Sequence, residues 1–168
     1  MLFLVKLNKR GVYMKKYMML CVVFLLLVAC SNNTELGSNP PKVTVEVDGE
    51  NYDTELGSYC WQGGATGSGE CADKVGPEEL LNGKQPIVVQ PEAELAIQID
   101  LKRQPDEVAL EQVKKDQPIN ITNFKNMRVT APKEKGTYFY ILQADWANQK
   151  EKNISDGDAW YAFHIRVE

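Results

Sequence analysis

Two segments near the C-terminus place an apolar residue at every second position along their whole length, and this period of two constrains the fold more than any other feature. The apolar positions are Tyr138, Tyr140, Leu142, Ala144 and Trp146 in the first segment and Ala159, Tyr161, Phe163, Ile165 and Val167 in the second. Successive side chains of a β-strand point to opposite sides, so each segment predicts a strand with one buried face. The polar stretch from Asn153 to Asp158 predicts the tip of a hairpin between them.

Shorter strand patterns recur earlier in the chain. They fall at residues 43–47, 56–61, 87–89, 95–101, 119–121 and 127–129, whereas residues 106–113 fit either a strand or a helix. Residues 77–83 begin with Pro77, continue with acidic residues and end at Gly83, which predicts one or two helical turns. About eight short strands with little helix are typical of a β-sandwich.

A turn signal at residues 132–135 is followed by Gly136-Thr137-Tyr138 at the start of the strongest strand. This order is similar to the tyrosine corner of immunoglobulin-like domains, in which the phenol hydroxyl bonds to backbone upstream. We therefore expect an all-β, immunoglobulin-like β-sandwich with one short helix over residues 42–168. The spacing from Cys60 to Cys71 departs from the inter-sheet disulfide of those domains, which spans many more residues.

The N-terminal segment has the parts of an export signal. Lys15 and Lys16 precede the apolar residues 18–28, and Leu27-Val28-Ala29-Cys30 resembles the lipobox of bacterial lipoproteins. A helix over the apolar run would be about 18 Å long, short of the roughly 30 Å of a hydrocarbon core. The resemblance implies that residues 1–29 are removed and that Cys30 carries a diacylglycerol anchor on the outer side of the membrane. An ordinary signal peptide is the alternative, and translation could start at Met1 or at Met14.

The predicted mature part is acidic. None of the 23 Asp and Glu residues precedes Cys30, and 14 of the 19 Lys and Arg residues follow it, which leaves a net charge of −9. This charge argues against binding to nucleic acid. Residues 30–41 are polar and rich in Ser, Gly and Pro, so we expect a lipidated cysteine and a flexible tether there.

Cys60 and Cys71 are an even pair in a chain that is expected to fold outside the cytoplasm, so one disulfide is the simplest pairing. It would close the Gly-rich segment 63–69. A redox pair is disfavoured because the spacing is not Cys-x-x-Cys. A metal site is disfavoured because His164 is the single histidine and would need further ligands. We expect neither a metal nor another cofactor.

Two tryptophans are candidate ligand contacts. Trp61 borders the Gly-rich loop, where it could form an aromatic edge, and Trp160 shares the outward face of the last strand with His164. The alternation places His164 in solvent, which argues against a Ser–His catalytic pair. Asp156, Asp158 and Asp145 could bind calcium weakly, but a polar hairpin turn is the simpler interpretation.

Several of these segments together resemble a group of small lipoproteins of Bacillus-type bacteria. The resemblance rests on Tyr59-Cys60-Trp61, on Cys71-Ala72-Asp73, on residues 77–81 and on the ending Tyr161-Ala162-Phe163-His164-Ile165. It implies a membrane-anchored envelope protein and transfers no activity. We expect a binding module for an envelope protein, a wall polymer or a small ligand. The alternatives are an accessory subunit of an envelope transporter or enzyme, and a hydrolase that uses a carboxylate pair.

Overall fold

Eleven strands and one short helix make up the described part of the computed structural model, which covers residues 36–62, 69–114, 117–121 and 124–168. The strands are β1 Val43–Val47, β2 Glu50–Asp53, β3 Glu55–Trp61, β4 Glu70–Ala72, β5 Ile87–Val89, β6 Glu94–Ile99, β7 Glu107–Lys114, β8 Gln117–Asn120, β9 Arg128–Thr130, β10 Gly136–Ala147 and β11 Ser155–Val167. Helix α1 is Pro77–Leu80. The predicted signal segment 1–29 and Cys30 lie outside the described residues, and no helix within those residues is long and apolar enough to cross a membrane.

The strands form two sheets. One has four strands in the order β2-β1-β6-β9, and the other has seven, in the order β4-β3-β11-β10-β7-β8 with β5 added beside β11. All pairings are antiparallel except that of β5 with β11. The prediction of an all-β fold with two packed antiparallel sheets and one short helix is confirmed.

The core lies between the two sheets and is filled by the alternating positions that the sequence indicates. The four-stranded sheet contributes Val43, Val45, Val47, Leu95, Ile97 and Ile99, and the long strands contribute Tyr140, Leu142, Trp146, Tyr161, Phe163, Ile165 and Val167. Each of these side chains is less than a tenth exposed. Burial of one such side chain stabilises the fold by about 1.5–3 kcal/mol, so this core is the main source of stability.

The long hairpin differs from the prediction at its tip. Strand β11 begins at Ser155, and its register pairs Asp158 with Asp145 and Gly157 with Trp146. The predicted tip residues 155–158 are therefore in the sheet, and the turn lies at residues 148–154. Asp158 is polar because it lies on the outer face of the sheet, whereas Gly157 lies over the ring of Trp61. Of residues 106–113, which fit either a strand or a helix, residues 107–113 lie in β7, where Leu110 is in the core and Val108 packs against it.

The tyrosine at the start of β10 makes the hydrogen bond that the sequence predicts. The hydroxyl of Tyr138 donates to the backbone oxygen of Glu134 at 2.8 Å. This bond closes the turn that leads into β10, since donor and acceptor are four residues apart.

Residues 36–41 belong to the folded domain. Leu36 is 4% exposed and lies in the core cluster, Trp61 donates its indole N–H to the backbone oxygen of Gly37 at 2.8 Å, and the Tyr161 hydroxyl donates to Pro41 at 2.9 Å. Part of the expected tether over 30–41 thus contacts the domain, because Leu36 is an apolar side chain within a polar run and packs in the core. Residues 30–35 lie outside the described part.

The predicted disulfide is present. Cys60 and Cys71 lie directly opposite each other on β3 and β4, with their Cα atoms 4.1 Å apart. The bond joins the two strands that flank the Gly-rich segment, whose residues 63–68 lie outside the described part.

Candidate functional site

An open groove of about 370 Å³ crosses the outer face of the seven-stranded sheet. It runs over β7, β10 and β11, which are neighbours in that sheet. The polar and aromatic side chains in its lining are Glu107, Gln143, Asp145, Asp158 and Trp160. The other lining residues are Val108, Ala109, Ala144 and Ala159. Ala109 shares the outer face with the polar groups, whereas the side chains of Val108, Ala144 and Ala159 face the core.

Three carboxylates form a row across the groove. Asp145 on β10 lies directly opposite Glu107 on β7 and directly opposite Asp158 on β11. Side chains that face each other in this way have their Cβ atoms roughly 4.5–5.5 Å apart, and like charges at that distance repel. The hydroxyl of Ser155 donates to Asp145 at 2.9 Å and stabilises its charge. The row concentrates negative charge where a cation could lie between the strands.

The central and outer carboxylates of this row interact electrostatically. Partial burial raises the pKa of Asp158, and the nearby charge of Asp145 raises it further, whereas a backbone hydrogen bond from Cys60 acts in the opposite direction. Asp158 therefore carries its charge at a cost in the free protein. A bound cation would relieve that cost, because an opposite charge favours the ionised carboxylate.

Trp160 forms the aromatic side of the groove. Its indole ring is half-buried and lies against Gly57 of β3, so closely that a Cβ atom added at Gly57 would be 2.3 Å from the ring. Across the sheet it lies opposite Gln143. The expectation that Trp160 lies on the outward face agrees with this position. An indole beside carboxylates suits a cation with an apolar stem, since the ring face attracts positive charge.

Trp61 occupies a different place from the one expected. It is 2% exposed, meets Trp146 edge to face with ring centroids 4.9 Å apart, and packs over Gly157. The ring thus lies in the core, and residues 63–68 of the Gly-rich loop lie outside the described part of the chain. Strict alternation from Leu56 would place Trp61 on the outer face of β3. A bulge opposite Trp160 shifts the alternation by one residue, so Trp61 faces inward.

The hairpin end holds a salt-bridge network in place of the calcium site considered from the sequence. Arg103, whose side chain is 11% exposed, donates to Asp156 at 2.8 Å and to Asp106 at 3.2 Å. The amide of Asn148 donates to the other oxygen of Asp156 at 2.6 Å. Both oxygens of Asp156 are therefore in use, and the described residues contain no group of three or more acidic, histidine or cysteine side chains arranged to hold a metal.

His164 is buried, contrary to the expectation of a solvent-facing histidine. It does lie on the outer face of β11, but the turn after helix α1 covers it and leaves it 7% exposed. Desolvation by burial lowers its pKa, and a backbone hydrogen bond with Lys84 acts in the opposite direction. The alternation correctly predicts that His164 lies on the outer face of β11. Only the tertiary structure shows that the turn after α1 covers His164 there.

The groove was only partly foreseeable. Asp145, Asp158 and Trp160 stand out in the sequence, whereas no sequence pattern marks Glu107 or Gln143 as part of a site. The alternation in β10 predicts that Gln143 faces outward. It does not predict that β7 lies beside β10, because residues 106–113 fit either a strand or a helix.

Comparison with known proteins identifies no relative. No protein-family model matches this chain, and no curated protein sequence matches it.

Proposed function

We propose that this protein is a lipid-anchored binding module on the outer side of the cell membrane and that its groove binds a cationic ligand. The lipobox-like Leu27-Val28-Ala29-Cys30 supports the anchor, and the short apolar run before it supports export. The immunoglobulin-like assignment of the sandwich is part of this proposal and is supported by the hydrogen bond of Tyr138 to Glu134.

The observation that carries the ligand class is the row Glu107–Asp145–Asp158 beside the ring of Trp160. A ligand that matches it has a positive head for the carboxylates and carbon atoms for the indole. Lysine side chains of a peptide or amino groups of a wall polymer have this chemistry. The net charge of −9 after Cys30 would draw such ligands towards the domain at low ionic strength.

Calorimetric titration with tetralysine tests the ligand class. We expect binding that weakens as salt is raised, while tetraserine does not bind. Trp160→Ala and Asp145→Asn should each weaken tetralysine binding at least fivefold, because each removes one element of the groove. Glu134→Gln, which changes an exposed acid in the turn before β10, is the matched control and should leave affinity unchanged. Equal loss in Asp145→Asn and Glu134→Gln, with no loss in Trp160→Ala, would show that the overall charge, and not the groove, attracts the peptide.

The anchor is tested separately with Cys30→Ser. We expect the native protein to incorporate radioactive palmitate and to sediment with membranes, and the variant to do neither. A variant that keeps both the label and the membrane association would refute lipidation at Cys30.

A second candidate function, a hydrolase that uses a carboxylate pair, is favoured by one observation. Asp158 has a raised pKa beside Asp145 in the same groove, and glycosidases use a pair in which one carboxyl stays protonated as the acid. Asp158→Asn separates the two functions. A hydrolase would lose turnover of a nitrophenyl glycoside, whereas a binding module would show no turnover in either form.

A further inference from the structure

A second cavity, of about 160 Å³, lies beside His164 at an interruption in the edge of β11. Strand β3 pairs with β11 as far as Ala162, and β5 pairs with it from Ile165. Phe163 and His164 lie between these two pairings, and both line the cavity. Neighbouring strands leave this point of the sheet open, so other parts of the chain must keep water from the imidazole.

A short stretch of chain covers this point. We call residues 77–85, which comprise α1 and the turn after it, the cover segment. Leu81, which is 6% exposed, anchors it, and the segment packs near β3, β10 and β11. Two of its backbone hydrogen bonds, Leu81 to Pro77 at 3.0 Å and Lys84 to Leu81 at 3.0 Å, are internal. Because these bonds end within the segment and not on a strand, the cover segment can loosen on opening, which exposes its amides to exchange.

The imidazole under the cover segment lacks a full set of partners. The Nδ1 atom of His164 is buried and has no hydrogen-bond partner among the described residues. On its other side, the ring of Phe139 lies 5.3 Å away between centroids and offers no charge. A neutral imidazole is tolerated in this place, whereas an imidazolium would need a second acceptor or water.

The charged groups around the cavity are already paired with one another. Glu55 of β3 accepts from Lys84 of the cover segment at 2.7 Å, and Asp53 of β2 pairs with Lys42 at 2.7 Å. Further along the outer face of β11, Arg166 pairs with Glu168 at 2.6 Å. The acids Glu78 and Glu79 of α1 are exposed. No carboxylate in the described lining of the cavity is thus free to stabilise a protonated His164.

We propose that the cover segment is an acid-sensitive flap, which protonation of His164 shifts from a closed to an open position. Opening lets water reach the imidazolium and uncovers the outer face of β11 from Ala162 to His164. Trp160 lies on the same face of the same strand, so opening extends the exposed surface beyond the groove. The flap does not depend on the proposed function, because its movement is measured without a ligand.

The sign of the effect follows from the two states. In the closed state, burial holds the pKa of His164 below its ordinary value of 6.5, and in the open state the imidazole is solvated. The open state therefore binds the extra proton more readily. Opening should become up to about tenfold more favourable for each pH unit below 6.5, until the closed state is protonated as well.

The full-length protein suffices for the test, because His164 is its single histidine and gives one imidazole resonance pair. We expect the NMR titration midpoint to lie below 6.5. We also expect hydrogen-exchange protection of the amides at residues 80–85, corrected for intrinsic rates, to fall between pH 6.5 and pH 5. A midpoint at or above 6.5, or protection that does not change with pH, would overturn the proposal.

Two variants separate the flap from other acid effects. His164→Phe removes the titrating group and should abolish the pH dependence of protection at residues 80–85. Lys84→Gln breaks the ion pair with Glu55, so it should lower protection at every pH and should also raise the titration midpoint of His164, because the freed Glu55 can stabilise the imidazolium. If the pH dependence persists in His164→Phe, another group drives it and the proposal fails. If that variant does not fold, the native protein decides, because both its midpoint and its protection at residues 80–85 must follow the expected pH dependence.

Discussion

The indole ring of Trp160 lies against Gly57 of the neighbouring strand, in space that any other residue at position 57 would fill. The glycine therefore fixes the depth of the aromatic side of the groove. This contact links the strand β3, which carries the disulfide, to the proposed binding surface on β10 and β11.

Gly57→Ala should displace Trp160, because the added Cβ would meet the ring at 2.3 Å. We expect a loss of about 1–3 kcal/mol in the free energy of unfolding, measured with urea, and weaker tetralysine binding. Gly76→Ala is the matched control, since a Cβ there has no atom within 4 Å and should cost little. A Gly57→Ala protein with native stability and native tryptophan fluorescence would contradict the packing described.

Leu36→Ala tests whether the segment before β1 belongs to the fold. Leu36 is 4% exposed in the core cluster, so its truncation should lower the free energy of unfolding by about 2–5 kcal/mol. Val75→Ala, at an aliphatic side chain that is 45% exposed, should change it by less than about 0.5 kcal/mol. Equal, small effects of the two changes on the free energy of unfolding would show that residues 36–41 are a free tether and not part of the fold.

Tyr138→Phe tests the hydrogen bond that closes the turn before β10. Loss of the bond to the Glu134 oxygen should destabilise the protein by about 0.5–1.5 kcal/mol in chemical denaturation. Tyr52→Phe loses only a bond to the exposed side chain of Glu50 and should have a smaller effect. A larger loss of stability in Tyr52→Phe than in Tyr138→Phe would show that the Tyr138 hydrogen bond does not stabilise the turn before β10.

Asp158→Asn should stabilise the fold at neutral pH and weaken the binding of tetralysine. The folded-state pKa of Asp158 is raised, mainly by burial and then by Asp145, so its negative charge opposes folding above that pKa. The difference in stability between native protein and variant should therefore grow as pH rises through the acidic range and then level off. Thermal unfolding between pH 3 and pH 7 measures it, and a variant that is less stable at pH 7 than at pH 3, relative to the native protein, would contradict the sign.

The sequence by itself determined the elements whose cause is local. Alternation in β10 and β11 identified the buried face correctly, since a strand presents every second side chain to the same side. The two cysteines predicted their disulfide, and the turn before Tyr138 predicted the backbone hydrogen bond of its hydroxyl. Each of these inferences needs only residues that are close along the chain.

The tertiary structure decided what lies on those faces, because coverage depends on elements that are distant in sequence. His164 is on the predicted face, yet the turn after α1 covers it, about 80 residues earlier in the chain. Leu36 lies in the core beside strands that come much later in the chain. The row of Glu107, Asp145 and Asp158 exists only because β7, β10 and β11 are neighbours in the sheet. Periodicity tells which side chains share a face, but only the order and packing of the elements set whether water, a helix or another charge meets them.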